Sequence, residues 1–145
     1  MRREFSAGVV LVRRMRGRWW FAAIVPGGRP GVLALPKGII DPGESAAETA
    51  VREVWEETGV HGRIDAKLGD VRYVYTWDGE RVFKVVSFFL AHARRGRIGS
   101  LPPGMEIEVA EARWLELEHA PTLLAYKGER DMSSKAAEML ASDPL

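Results

Sequence analysis

A mixed α+β sandwich, with helices covering a sheet, is the fold class that the sequence predicts, and three observations predict it. Short runs rich in Val, Ile, Phe, Trp and Tyr lie both before and after one central stretch of helical character. Glycines and prolines break the chain between these runs. The C-terminal part, "HAPTLLAY" and then "DMSSKAAEML", reads as helix again.

Composition sets the frame for these elements. With 145 residues, 46% of them hydrophobic and 28% charged, the chain has the apolar content of one domain, residues 1–145. A formal net charge of +1 argues against a dedicated nucleic-acid or membrane-surface protein, so neither is expected as a partner. Cysteine is absent, which removes disulfide frameworks, thiolate-bound zinc and cysteine nucleophiles and accords with a reducing compartment. The opening "MRREFSAGVVLVRR" has no apolar stretch of signal-peptide length, and no run approaches membrane-spanning length; a cytoplasmic protein is expected.

In chain order, "SAGVVLVRR" and "WWFAAIVP" flank the polar turn "RMRGR" and predict a hairpin. "PGGRPG" breaks the chain, "VLALP" reads as a buried strand ending at Pro36, and "KGIIDPGE" reads as irregular, with the helix starting after Glu44. Gly59 closes that helix as a left-handed cap. "GRIDAKLGDVRYVYTW", "RVFKVVSFFLAHA" and "EIEVAEARWLEL" supply further strands, the first two joined at "DGE", Asp78 to Glu80.

The central helix carries an unusual charge pattern, since Gly38 to Val60 contains five glutamates, one aspartate and a single arginine. At about 100° per residue, Glu57 lies near +40° and Glu56 near −60° from Glu53, so three carboxylates share an arc of roughly 100°. Ala47, Ala50, Val51 and Val54 occupy the neighbouring arc that faces the sheet. Like charges at these spacings repel, and the C-terminal half of a helix disfavours them further. A solvated acidic face would need neither the small residues around it nor the glycine-rich lead-in. A hard divalent cation needs several carboxylate oxygens on one rigid element, and Mg²⁺, with Mn²⁺ as a substitute, accounts for the pattern.

Gly38, five residues, Glu44, seven residues and then "REVWEETGV" resembles the Nudix box, matching each defined position. "SAGVV", "LPKG" and "RWLEL" also look like parts of Nudix hydrolases, so the resemblance spans most of the chain. It implies a three-layer α/β/α Nudix fold with a mixed sheet and a loop-helix-loop, and hydrolysis of a pyrophosphate bond in a substrate containing a nucleoside diphosphate. By the same resemblance, Glu56 and Glu57 are the principal metal ligands, and Glu53 is a further ligand or the base that activates water. Arg52 positions a glutamate through a salt bridge, the Gly38 or Lys37 carbonyl joins the metal shell, and Glu44 is structural, with an outer-sphere role as the alternative. The catalytic set is then Arg52, Glu53 and Glu57. A further metal-ligating glutamate from outside the box is sought among Glu106, Glu108 and Glu111; Glu108 is the choice from its spacing to Trp114, although strand alternation would put Glu106 on the same face.

"LPKG" places Lys37 beside the metal loop, where its ammonium could meet a phosphate. Tyr73, Tyr75, Trp77, Arg81 and Lys84, and later Tyr126, Lys127 and Arg130, offer aromatic and basic groups for a base and its phosphates. Lys37, Lys84, Tyr126 and Arg130 are the substrate-binding candidates. His61, His92 and His119 stand singly, and the arginines of "RRMRGR" and "RRGR" read as solvated loops. The resemblance points to dinucleoside polyphosphates, such as diadenosine tetraphosphate, as substrate of a monomer or homodimer. The alternatives are a housecleaning hydrolase of ordinary or oxidised nucleoside triphosphates and a nucleotide sensor that does not cleave.

Overall fold

The structure, a computed structural model, describes residues 1–142. Its elements are β1 (Arg2–Met15), β2 (Arg18–Pro26), β3 (Lys37–Ile39), α1 (Ala46–Thr58), β4 (His61–Trp77), β5 (Glu80–Arg95), β6 (Val109–Glu116), a 3-10 turn (Leu117–His119), α2 (Ala120–Leu123) and α3 (Lys127–Ala141). Both hairpins close on two residues with positive φ, Arg16–Gly17 at 53° and 75° and Asp78–Gly79 at 50° and 73°. Their backbone twist suits the right-handed twist of the flanking strands, and Gly takes the second position of both turns.

The sheet runs β4-β5-β1-β2-β6, with β3 paired to β1 beside that path. β1 lies at its centre. One edge of β1 runs parallel to β5 from Arg2↔Val82 to Val12↔His92, and the other is shared, Ser6 to Gly8 pairing with β3 and Val12 to Met15 with β2. Because strand side chains alternate, odd and even residues of β1 feed different layers. Ala7, Val9 and Leu11 pack with Phe89 and Ala91 under Ala50 and Val54 of α1. Val10 and Val12 pack with Phe21, Val86, Phe88 and Leu90 under Leu124, just past α2, and Ala136 and Leu140 of α3. Each large apolar side chain so buried contributes about 1.5–3 kcal/mol. The arrangement is the α/β/α sandwich expected.

Three local expectations are corrected. "VLALP" forms no strand: a single bridge joins Ala34 to Ile24, Pro36 has no N–H to give, and the Leu35 N–H bonds a side chain. "KGI" is not irregular but forms β3, because the free edge of β1 at Ser6 to Gly8 accepts it. α3 starts at Lys127 rather than Asp131, absorbing "KGER". Among the described residues no helix is long and apolar enough to cross a membrane.

Candidate functional site

The acidic helix is held at both ends by its own sequence. Ser45 Oγ accepts from the Glu48 N–H at 3.1 Å while Glu48 accepts from the Ser45 N–H at 2.8 Å, a reciprocal cap specified by "SAAE". Gly59, at φ 83°, ends it, its N–H bonding the Trp55 carbonyl at 2.8 Å. The carboxylates therefore project from a fixed element. Their surroundings separate them. Glu53 and Glu57 are each only 9% exposed, whereas Glu56 is half-buried.

Arg52 is the hub of the acidic segment. Its guanidinium donates to Glu44 from Nε at 2.8 Å and from Nη2 at 2.9 Å, to Glu53 at 2.9 Å and to Glu56 at 3.2 Å, and lies 3.2 Å from Asp41. Hydrogen bonds from Arg52, then from Thr49, hold the Glu44 carboxyl down at about 2. Glu57 is supported differently, by the Lys37 N–H at 3.0 Å. Burial pushes the Glu57 carboxyl up to about 8, and burial also raises Glu53. Two buried carboxylates that ionise at a cost are suited to a hard cation, which would offset that cost with oxygen ligands already in place. Gly38 sits against them: a Cβ at this position would fall on the Glu53 carboxylate. The donor set fits a divalent ion, with Glu53, Glu56, Glu57 and the Gly38 carbonyl as its candidates. Arg52 holds Glu53 and Glu56 by hydrogen bonds, and among the described residues a compact trio of ligand atoms within 4.8 Å lies at Glu116, Glu118 and His119. In that second cluster Arg18 already pairs with Glu116 at 2.8 Å.

Of the three acids before Trp114, Glu108 is the one at the cleft, a space of about 220 Å³ lined also by Lys37, Gly38, Glu57, Lys84 and Tyr126. The strand-alternation argument for Glu106 does not hold, because residues 103–108 form turns and β6 begins only at Val109. The Gly27 N–H to Glu108 carbonyl bond, 2.8 Å, fixes that turn against the end of β2. Glu111 instead lies on β6, 3.5 Å from Arg113.

Next to the cleft is a larger groove of about 760 Å³. Its wall includes Tyr73, Tyr75 and Tyr126, with Arg29, Arg72, Lys84 and Lys127 as cationic groups. Arg29, Lys37, Lys84 and Tyr126 line both spaces and so form the passage between them. Burial, and then the neighbouring Lys37 charge, depress the Lys84 ammonium, while Glu4 opposes the shift. Lys37 Nζ lies 5.3 Å from the centre of the Tyr126 ring, and Arg29 donates to the Tyr126 hydroxyl. Arg130 is not brought to the groove. Its Nη1 donates to the Leu124 and Ala125 carbonyls at 3.1 and 2.9 Å, tying down the start of α3. Trp77 and Arg81, at the hairpin tip, also lie outside the lining. Arg29 and Glu129 were missed from sequence. Arg29 stands in the turn-rich "PGGRPG", and Glu129 next to the more conspicuous Arg130, with no spacing rule to single out either.

The chain belongs to the NUDIX domain family, whose model matches residues 2–136. Among individual relatives, it is 40% identical over 107 residues to a Mycobacterium tuberculosis protein named as the mutator protein MutT4, a match covering 74% of this chain and 42% of that protein. The chain thus spans about two-fifths of that relative's length. It is 30% identical over 113 residues to the asymmetrical bis(5'-nucleosyl)-tetraphosphatase of Mus musculus, covering 75% of this chain and 72% of the relative. Its structure resembles the binary complex of the C. elegans Ap4A hydrolase with a TM-score of 0.76 at 25% identity, covering 97% of this chain and 99% of the other.

Proposed function

We propose that the protein is a Mg²⁺-dependent hydrolase, with Mn²⁺ as a substitute, that cleaves a pyrophosphate bond in dinucleoside polyphosphates such as diadenosine tetraphosphate. The observation that carries this reading is the continuity of the tyrosine-lined groove with the carboxylate cleft through Arg29, Lys37, Lys84 and Tyr126. A base needs an aromatic face, a polyphosphate needs cations, and the scissile bond needs hard oxygen ligands for an ion. All three occur in that order along one surface. The mouse relative's name agrees with this substrate class.

On this reading Glu53, Glu56, Glu57 and the Gly38 carbonyl would hold the ion, with Glu108 beside them, and the ion would supply charge neutralisation on the phosphates and a more acidic water. Lys37, Lys84 and Arg29 bind the phosphate chain and orient it. Tyr73, Tyr75 and Tyr126 stack the base. Arg52 positions Glu53 and Glu56 through its hydrogen bonds, and Glu53 would serve as a ligand or as acceptor of the water proton. Positioning and charge stabilisation supply most of the rate in phosphoryl chemistry, so few covalent roles are needed.

A second reading, removal of pyrophosphate from ordinary or oxidised nucleoside triphosphates, is favoured by the mutator name of the Mycobacterium tuberculosis relative. Incubation with Mg²⁺ and a panel of diadenosine polyphosphates, nucleoside triphosphates, oxidised purine nucleotides and ADP-ribose separates the two. Release of ATP from diadenosine tetraphosphate is expected. Preferential release of monophosphate and pyrophosphate from a triphosphate would select the second reading, and binding without turnover would select the sensor.

A further inference from the structure

One buried acid of the groove has no task in the reading above. Glu129 is 4% exposed, in the first turn of α3, where the helix dipole favours a carboxylate. Both its oxygens are engaged. Oε1 accepts from the Leu35 N–H at 2.8 Å and Oε2 from Lys37 Nζ at 2.8 Å, so one side chain holds two points of "LPKG". α3 is itself seated closely: a Cβ on Gly128 would run into the Val71 side chain of β4. The Lys37 ammonium is thus fixed between an acid on a packed helix and the face of Tyr126.

We propose that Glu129 is a positioning residue that holds the Lys37 ammonium at the passage between groove and cleft, and so sets where the phosphate chain lies. The inference rests on the reading of Lys37 as a phosphate ligand. An unheld lysine would lose rotamer freedom when a phosphate arrives, whereas one already held in place loses less. An ammonium has three N–H groups, and with one given to Glu129 two remain for phosphate oxygens. The Lys37 ammonium also offsets the charge of Glu129, which otherwise would repel the substrate, and the Leu35 N–H stabilises the carboxylate by a hydrogen bond.

The test is a double-mutant cycle of Glu129→Gln and Lys37→Met, read as kcat and KM for diadenosine tetraphosphate and as its Kd by calorimetry, with melting curves to verify folding. Gln keeps an oxygen for the Leu35 N–H but removes the ion pair. Glu129→Gln is expected to raise KM and Kd on the order of tenfold with little change in kcat, and to add no further loss to Lys37→Met. Glu129→Asp, which retains the charge at shorter reach, is expected to fall between wild type and Gln and serves if Gln fails to fold. Wild-type KM and Kd in Glu129→Gln, or losses that multiply in the double variant, would overturn the proposal. A Lys37→Met variant with wild-type KM and Kd would overturn the reading of Lys37 and the inference with it. The binding arm reports the same coupling if the protein proves to bind without cleaving.

Discussion

Lys37 and Gly38 are neighbours on a three-residue strand, yet they serve different faces of the sheet. The Lys37 side chain turns to α3 and its N–H to Glu57, while Gly38 leaves the space in which the Glu53 carboxylate sits. Gly38→Ala is expected to displace Glu53, giving a large loss of turnover with a small loss of melting temperature; activity at wild-type level would show that Glu53 has room to move. Glu57→Gln is expected to fold, to lose turnover by orders of magnitude, and to lack the rise in melting temperature that Mg²⁺ is expected to give the wild type. Calorimetric melting with and without Mg²⁺ checks this. That Glu53 and Glu57 share one arc of α1 was readable because a helix converts spacing into direction. Lys84 and Tyr126 were reachable only as residue types in suggestive company. The 2.8 Å grip of Glu129 on Lys37 was not legible at all, since it joins residues 92 positions apart.

At the level of elements, α1 is set by local signals, and local signals are what a sequence displays. Ser45, Glu48 and Gly59 mark its ends without reference to the rest of the chain. Ser45→Ala is expected to cost about 1 kcal/mol in denaturant unfolding, with no change in the slope of the transition. Glu44 gives a pH-dependent counterpart. Its folded carboxyl lies at about 2, below the ordinary 4.5, so its contribution is complete above about 4.5 and is lost as pH falls towards 2. The stability gap between wild type and Glu44→Gln is therefore expected to narrow across that window, as melting curves at stepped pH would reveal. "VLALP" and "KGI" were misread for the opposite reason. Whether an extended run becomes a strand depends on a partner edge, and the available edge of β1 lies opposite "KGI", not "VLALP". Glu106 likewise left its expected face because the chain turns through residues 103–108 before β6 begins.

For the whole molecule, the decisive contact is the parallel pairing of β1 with β5, which joins residues 2–12 to 82–92. The alternation of apolar runs made a helix-covered sheet legible, but not the strand order, because nothing local in β1 specifies a partner some 80 residues away. Such pairing closes a long loop before it returns any stabilisation, so refolding is expected on the ms to s scale, as stopped-flow fluorescence of the tryptophans would show; completion within microseconds would contradict it.

The short strand β3 has one more consequence. Consecutive residues of a strand are about 3.3 Å apart, so the backbones of Lys37, proposed to meet a phosphate, and of Gly38, beside the Glu53 carboxylate, are held together on one short strand paired to β1. On the proposed function, with one end of the substrate among the tyrosines, the distance from them to the carboxylate cleft would act as a ruler. The enzyme proposed here would count phosphates from the stacked base and cut at a set interval, and its choice of substrate would be a choice of chain length.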